Sequence, residues 1–380
     1  MQVYHVTHMH RCFLITLVLA FLVSAQDKQR RIGAIEFYGL AGFDQREIRA
    51  NLPSKEGDVL PQSSDATLAI IEKVKESVKQ TTGKSPTHVG MVCCDNKGEG
   101  MIFIGLPGKN VKDITLRPAP RGSLRLPQHF LGLYDETMDA LTNAVLNGAR
   151  SDDSKGYPLS TDVVLRSRQL KARNLALRHG PLLRRVLITA KDPKHRIAAA
   201  QFLGYARQSS LQIAALVHAS RDVDDVVRNN AVRALGVLAG TNSRVAEQIP
   251  AEGFIEMLNS GSWTDRNKAG FVLSGLTSSR NPKVQAQLRA KALDSLIEMA
   301  RWRSPGHASS ARVLLGRIAG IEEKRLQQLI AAGQVDEIIK ALNVYLYRFW
   351  LVSFSPFSVE VPRQPAPPPP QPSDSKGRTM

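Results

Sequence analysis

Cysteine is nearly missing from this chain, with 3 in 380 residues. Cys12 lies near the start, and Cys93 and Cys94 are adjacent. Neighbours in a strand point to opposite faces and a bridge between them would be strained, so a disulfide framework is excluded. With no second Cys pair, a four-ligand zinc site is excluded too. Catalytic patterns are equally scarce. His179, His195, His218 and His307 form no H-x-x-x-H pair, and no G-x-S-x-G is present. Gly105–Lys109, GLPGK, lacks the second half of a phosphate loop. Asp222, Asp224 and Asp225 cluster where a helix starts, and their expected work is capping and complementing the dipole. The expectation is a non-enzyme that needs no cofactor and no metal.

Acidic residues are also short, at 34 Asp and Glu against 51 Lys and Arg, which gives a formal charge of +17. That invites a nucleic-acid reading until the compartment is considered. Phe13–Val23, FLITLVLAFLV, is an uncharged run of eleven, followed by Val23-Ser24-Ala25 before Gln26. A membrane span needs about 20 apolar residues. The run therefore reads as a secretory signal peptide over residues 1–25, with an uncleaved anchor as the alternative. Export places the protein in the periplasm or outside the cell and argues against DNA or RNA as partner.

What the chain has is a repeat. In Asp224–Ala239, DDVVRNNAVRALGVLA, an Asp cap precedes Arg228, Ala231, Val232, Leu235 and Leu238, one apolar face of a helix. The same cap, small residue and Leu recur as Asp192, Ala199 and Leu203, as Ser262, Ala269 and Leu273, and as Ser304, Ala311 and Leu315. All three positions shift together by 32, 38 and 42 residues from one unit to the next. Units that cannot bury a face alone must stack, which predicts an α-solenoid. These residues resemble HEAT repeats, with the D-x-x-V-R start intact at Asp224–Arg228. The predicted array spans 162–355.

Residues 31–108 read as a separate α+β unit. RIGAIEFYGL is a strand, Asp44 caps a short helix stopped by Pro53, and a second helix covers about Ser64–Gln80 with Leu68, Ile71, Val74 and Val78 on one face. Two β-rich runs, THVGMVCCD and MIFIGLPG, follow as a hairpin. The order is β-α-α-β-β. With the Gly39 turn, Leu52-Pro53 and the Gly57-Asp58 turn, it resembles a polypeptide-transport-associated (POTRA) domain. That resemblance implies a mainly α chain, a HEAT-like solenoid behind a POTRA-like unit, as in exported bacterial envelope proteins. A sheet with an open edge would capture a partner by strand addition, within Ile32–Tyr38 or Met101–Leu106.

Residues 109–161 read as a linker with one helix, His129–Leu146, whose Leu133, Met138, Leu141 and Val145 recur. Tyr157-Pro158-Leu159 is expected to dock on the array. Over 162–345 the chain has 28 basic and 15 acidic residues, so the charge belongs to the array. Val163–Lys191 has eight basic residues and no acidic one. Arg166, Lys171, Arg173, Arg178, Arg184 and Arg185 are the candidate binding surface, with Leu165, Leu170, Leu175 and Leu177 as the apolar side and Gly180-Pro181 as a turn. The plain alternative is a solvated helix surface. The aromatic stretch around Tyr345–Phe354 reads as a helix closing the array or as an interfacial anchor. PRQPAPPPPQP, within the 356–380 tail, is an extended polyproline segment.

The sequence thus predicts an exported binding scaffold with protein partners in the cell envelope. Its alternatives are binding of acidic polymer or lipid headgroups, and service as an accessory subunit of an envelope enzyme.

Overall fold

The structure is a computed structural model and describes residues 30–61, 63–92 and 97–354. The signal-peptide reading of 1–25, the Cys93–Cys94 pair and the 356–380 tail lie outside the described residues. The chain opens with β1 (Ile32–Tyr38), α1 (Gln45–Asn51), α2 (Ser64–Thr82), β2 (His88–Val92) and β3 (Gly100–Gly105), the predicted β-α-α-β-β order. The sheet order is β1-β3-β2, with β1 parallel and β2 antiparallel to β3. β3 is therefore the central strand. This corrects the expectation that Met101–Leu106 could offer an edge, because both of its sides are already paired.

Strand alternation splits the sheet into two faces. Ile35, Phe37, Val89, Ile102 and Ile104 pack with Ile48 of α1 and Val74 and Val78 of α2. Ala34, Tyr38, Met101 and Phe103 belong instead to the core of the helical array. Asp44 caps α1 by accepting from the Arg46 N–H at 2.8 Å. Gly39 turns the chain out of β1 at φ +70°, and a Cβ there would fall 2.2 Å from the Leu106 carbonyl oxygen. Only glycine serves at that turn. Leu68 of α2 is 57% exposed, against expectation. The inward line runs through Ile70, Val74 and Val78 at steps of four, which leaves Leu68 off the sheet.

Next come α3 (Gln128–Leu146), the short pair β4 (Ser151–Asp152) and β5 (Leu159–Ser160), and α4 (Val163–Thr189). The buried line of α3 is Phe130, Leu133, Thr137, Ala140 and Ala144, not the predicted Met138, Leu141 and Val145. Small Ala140 and Ala144 let α3 approach α4 closely at Leu165. α4 makes the same choice. Leu165, Gln169, Ala172 and Ala176 are buried, whereas Leu170 and Leu177 are 44% and 45% exposed. At Gly180-Pro181 α4 breaks into two helical segments, as the expected turn implies, with His179 at φ −119° and ψ 21° outside helical geometry.

The remaining helices are α5 (Pro193–Leu203), α6 (Ser210–Ala219), α7 (Asp225–Thr241), α8 (Ser243–Ala246), α9 (Glu252–Met257), α10 (Trp263–Leu276), α11 (Pro282–Ala300), α12 (Pro305–Ile318), α13 (Glu323–Ala331) and α14 (Val335–Phe354). α5, α7, α10 and α12 start at the four predicted caps and pack in that order, so the chain is a helical repeat solenoid. Ala199, Ala231, Ala269 and Ala311 are buried, as are Leu203, Leu235, Leu273 and Leu315. Asp192 and Asp224 accept from main-chain N–H groups of their helices, but Ser262 and Ser304 make no such side-chain bond.

The fourth residue after each of the first three caps is an arginine, and it joins one repeat to the next. Arg196 holds Asp222 through two bonds of 2.8 Å and gives Nη1 to the Ala190 and Lys191 carbonyls. Arg228 holds Asp265 at 3.0 and 3.2 Å and caps the Asp222 and Val223 carbonyls. Arg266 bonds the Ser260 carbonyl at 2.6 Å and meets Glu298 at 3.4 Å. The fourth repeat has Ala308 there, and Arg312, a turn later, bonds the Ala300 and Trp302 carbonyls instead. Part of the array's positive charge is thus internal. Among the described residues no helix is long and apolar enough to cross a membrane.

Candidate binding surface

The sheet lies on the third and fourth repeats, and this contact decides which surfaces stay open. Phe103 stacks at 4.9 Å against Trp263 and meets Trp302 and His307 edge-on at 5.0 and 5.5 Å. Trp302 Nε1 donates to the Phe37 carbonyl at 3.1 Å. Glu298 accepts from the Gly39 and Leu40 N–H groups, both at 2.9 Å, so the last rung of the arginine ladder also holds the end of β1. Arg266 lies 4.9 Å over the Tyr38 ring, and Tyr38 Oη and Thr87 Oγ1 both donate to the Gly261 carbonyl. Burial pushes the Tyr38 phenol well above its usual range, so it stays a neutral donor. Burial, and to a lesser degree Lys268, brings His307 down to about 4 and keeps it neutral among the aromatic rings.

The outer side of β1 is filled. Glu56 accepts from the Ile35 N–H, while the Ile35 carbonyl receives Arg49 and Arg303. Arg303 also pairs with Glu36 and with Glu56. Its hydrogen bonds draw Glu56 down to about 2, whereas burial outweighs the same arginine at Glu36 and raises that carboxyl. β2, the other edge, is different. Among the described residues its main chain bonds only within the sheet along His88–Val92. It is an edge strand whose outer main-chain groups are unpaired among the described residues.

The stretch read as a linker is part of the array surface. Lys112 N–H donates to Asn259 O at 2.9 Å, Arg117 N–H to Arg221 O at 2.7 Å, and Gly122 N–H to Thr189 O at 2.8 Å. These acceptors stand three residues before the caps Ser262, Asp224 and Asp192, one for each of the first three repeats. The strap meets each repeat after five of its own residues and runs from the third repeat back to the first. It ends where Leu126 N–H meets His195 Nδ1 at 3.0 Å. No side-chain motif marks these contacts, because every array acceptor before Leu126 is a backbone carbonyl.

The six candidate cations are placed along α4 without forming one cluster. Arg166 reaches the Ser160 carbonyl at 3.4 Å. Arg173 is committed inward: it donates to the Tyr205 and Ala206 carbonyls and lies 4.3 Å over the Tyr157 ring. That contact docks the Tyr157-Pro158-Leu159 segment on the array, with Leu159 buried. Arg178 Nε turns back to the Asn174 carbonyl of its own helix. Lys171, Arg178 and Arg185 are exposed, and Arg184 is half-buried beside Gly180. Among the described residues none of the six is ion-paired, whereas Arg168 pairs with Glu136. No group of three or more His, Cys, Asp or Glu is placed to hold a metal, again among the described residues.

The chain matches no family model and no curated protein. Among solved structures it is similar to a designed armadillo repeat protein, at 18% identity over 49% of this chain and 95% of that one, with a TM-score of 0.34. A second designed armadillo repeat protein, solved with the peptide (KR)4, shows 17% identity over 49% of this chain and 93% of its own, with a TM-score of 0.33. A third, computationally designed for modular peptide recognition, shows 17% identity over 48% and 92%, with a TM-score of 0.34. At scores this low the likeness identifies no binding site.

Proposed function

We propose that the protein is a non-enzymatic binding scaffold that captures an extended segment of a protein partner along the free edge of β2. The carrying observation is the asymmetry of the sheet: β1 is filled by Glu56, Arg49, Arg303, Trp302 and Glu298, while among the described residues the main chain of β2 bonds only to β3. Strand addition supplies affinity through main-chain bonds and asks little of the partner's sequence. The β-α-α-β-β order and the POTRA resemblance support this reading, as does the export reading of the N-terminus, which would put the partner in the cell envelope. The test is a peptide selected from a display library on the full chain, then measured against proline at each of the five positions His88–Val92. At least one folded proline variant should lose tenfold or more in affinity. Unchanged binding in every folded variant would sink the proposal.

The α4 cations favour a second reading, an acidic partner, because Lys171, Arg178 and Arg185 are exposed and, among the described residues, none of them is ion-paired. Acidic protein, polymer and lipid headgroups share that chemistry. Capture through this block should weaken steeply from low to physiological salt, where the Debye length is about 8 Å. The R178Q/R184Q/R185Q variant should weaken it further while melting like the parent. Indifference to both salt and the triple replacement would reduce the block to a solvated face.

A further inference from the structure

Between its contacts at Arg117 and Gly122 the strap does not lie flat. Pro118 and Pro120 have no N–H to give to the array, and their rings fix φ near −65°, so the segment Pro118-Ala119-Pro120 stands off as a stiff arch. Beneath it is a cavity of about 450 Å³, floored by Ile188 of α4, His218 of α6 and Asp222. The size falls within the range of small-ligand sites.

Its charge is one-sided. Asp222 is the only carboxylate of the lining, and Arg196 already holds both of its oxygens at 2.8 Å while the Asp224 N–H adds a third bond at 2.9 Å. Arg221, whose carbonyl anchors the strap, spends its guanidinium on Glu256 at 2.5 Å. Arg117 and Arg121 flank the arch in the order Arg-Pro-Ala-Pro-Arg, and among the described residues neither side chain has a hydrogen-bond or ion-pair partner. Burial lowers the His218 imidazole and the Arg117 cation lowers it further, against the pull of Asp222. His218 is then neutral at pH 7 and has one ring N–H to donate. Two guanidinium groups, a neutral donor and an apolar wall make an anion site, not a cation site.

We propose that the cavity under the Pro118–Pro120 arch binds a small organic anion, with its carboxylate or phosphate between Arg117 and Arg121 and its carbon portion against Ile188. The arch fixes the backbone from which both arginines project, because its ends are tied to two different repeats. Ligand binding there ties the strap to the first and second repeats at once and slows its exchange with solvent.

The experiment is titration calorimetry of the full chain with inorganic phosphate in one arm and succinate in the other, at fixed ionic strength. Saturable binding of either anion is expected, and the arm that responds identifies the head group. The R117Q/R121Q variant should bind at least tenfold more weakly while melting like the parent. An R207Q/R244Q variant, which removes the same charge from exposed positions outside the cavity, should bind like the parent. The proposal is overturned if neither anion binds at millimolar concentration, if R117Q/R121Q binds like the parent, or if R207Q/R244Q loses as much.

Discussion

Arg228→Ala is expected to lower the unfolding free energy by about 3–5 kcal/mol, the cost of leaving a buried charge without its partner. Asp265 is 2% exposed, and without Arg228 its carboxylate keeps only Ser260 Oγ at 2.9 Å. The Asp222 and Val223 carbonyls lose a donor as well. Urea unfolding followed by circular dichroism measures the loss. The R228M/D265L double replacement should recover most of it, since it removes both charges together. A single-variant loss below about 1 kcal/mol would mean the pair is solvated and the ladder does not join the repeats.

Trp302→Ala should cost about 3–5 kcal/mol, in the range for truncating a buried aromatic side chain. It removes the T-shaped contacts of that ring with Tyr38 and Phe103 and the bond to the Phe37 carbonyl. The loss should be uneven. Trp302 joins the sheet to the array, so amide exchange of β1 and β3 should quicken by far more than that of α7. Equal acceleration in α7 and β3 would show that the indole supports the solenoid core and not the joint.

The repeats were legible because cap, Ala and Leu recur in one register, and periodicity is what a sequence displays most openly. The unit order β-α-α-β-β was legible for the same reason. Strand order was not, since the runs 32–38 and 100–105 look alike whether central or at an edge. The arginine ladder was only half visible. Arg196, Arg228 and Arg266 recur at the fourth position, but Asp222 lies two before a cap, Asp265 three after one, and Glu298 six before one, on α11. Their partners share geometry without sharing register. In α3 and α4 the pattern placed Leu133 and Leu165 correctly but put Met138, Leu141, Val145, Leu170 and Leu177 on the core side, where close packing selected the alanine stripe beside them. The six basic residues of α4 look equivalent in sequence, yet Arg173 is claimed by two carbonyls and a tyrosine ring. The strap escaped notice because backbone carbonyls leave no mark on residue identity.

The docking of the sheet also dictates an order of events at the ribosome. Solenoids ordinarily assemble from neighbours, each unit closing on the one before it. Here Phe37 waits for Trp302 and Glu36 waits for Arg303. At about 5–20 residues per second, the interval between completing β3 and completing α12 is on the order of 10–40 s. Throughout that time Met101 and Phe103 have no platform, and the strap has no repeats to lie on. The sheet is made before the repeats it rests on, so its apolar array face stays uncovered for that whole interval.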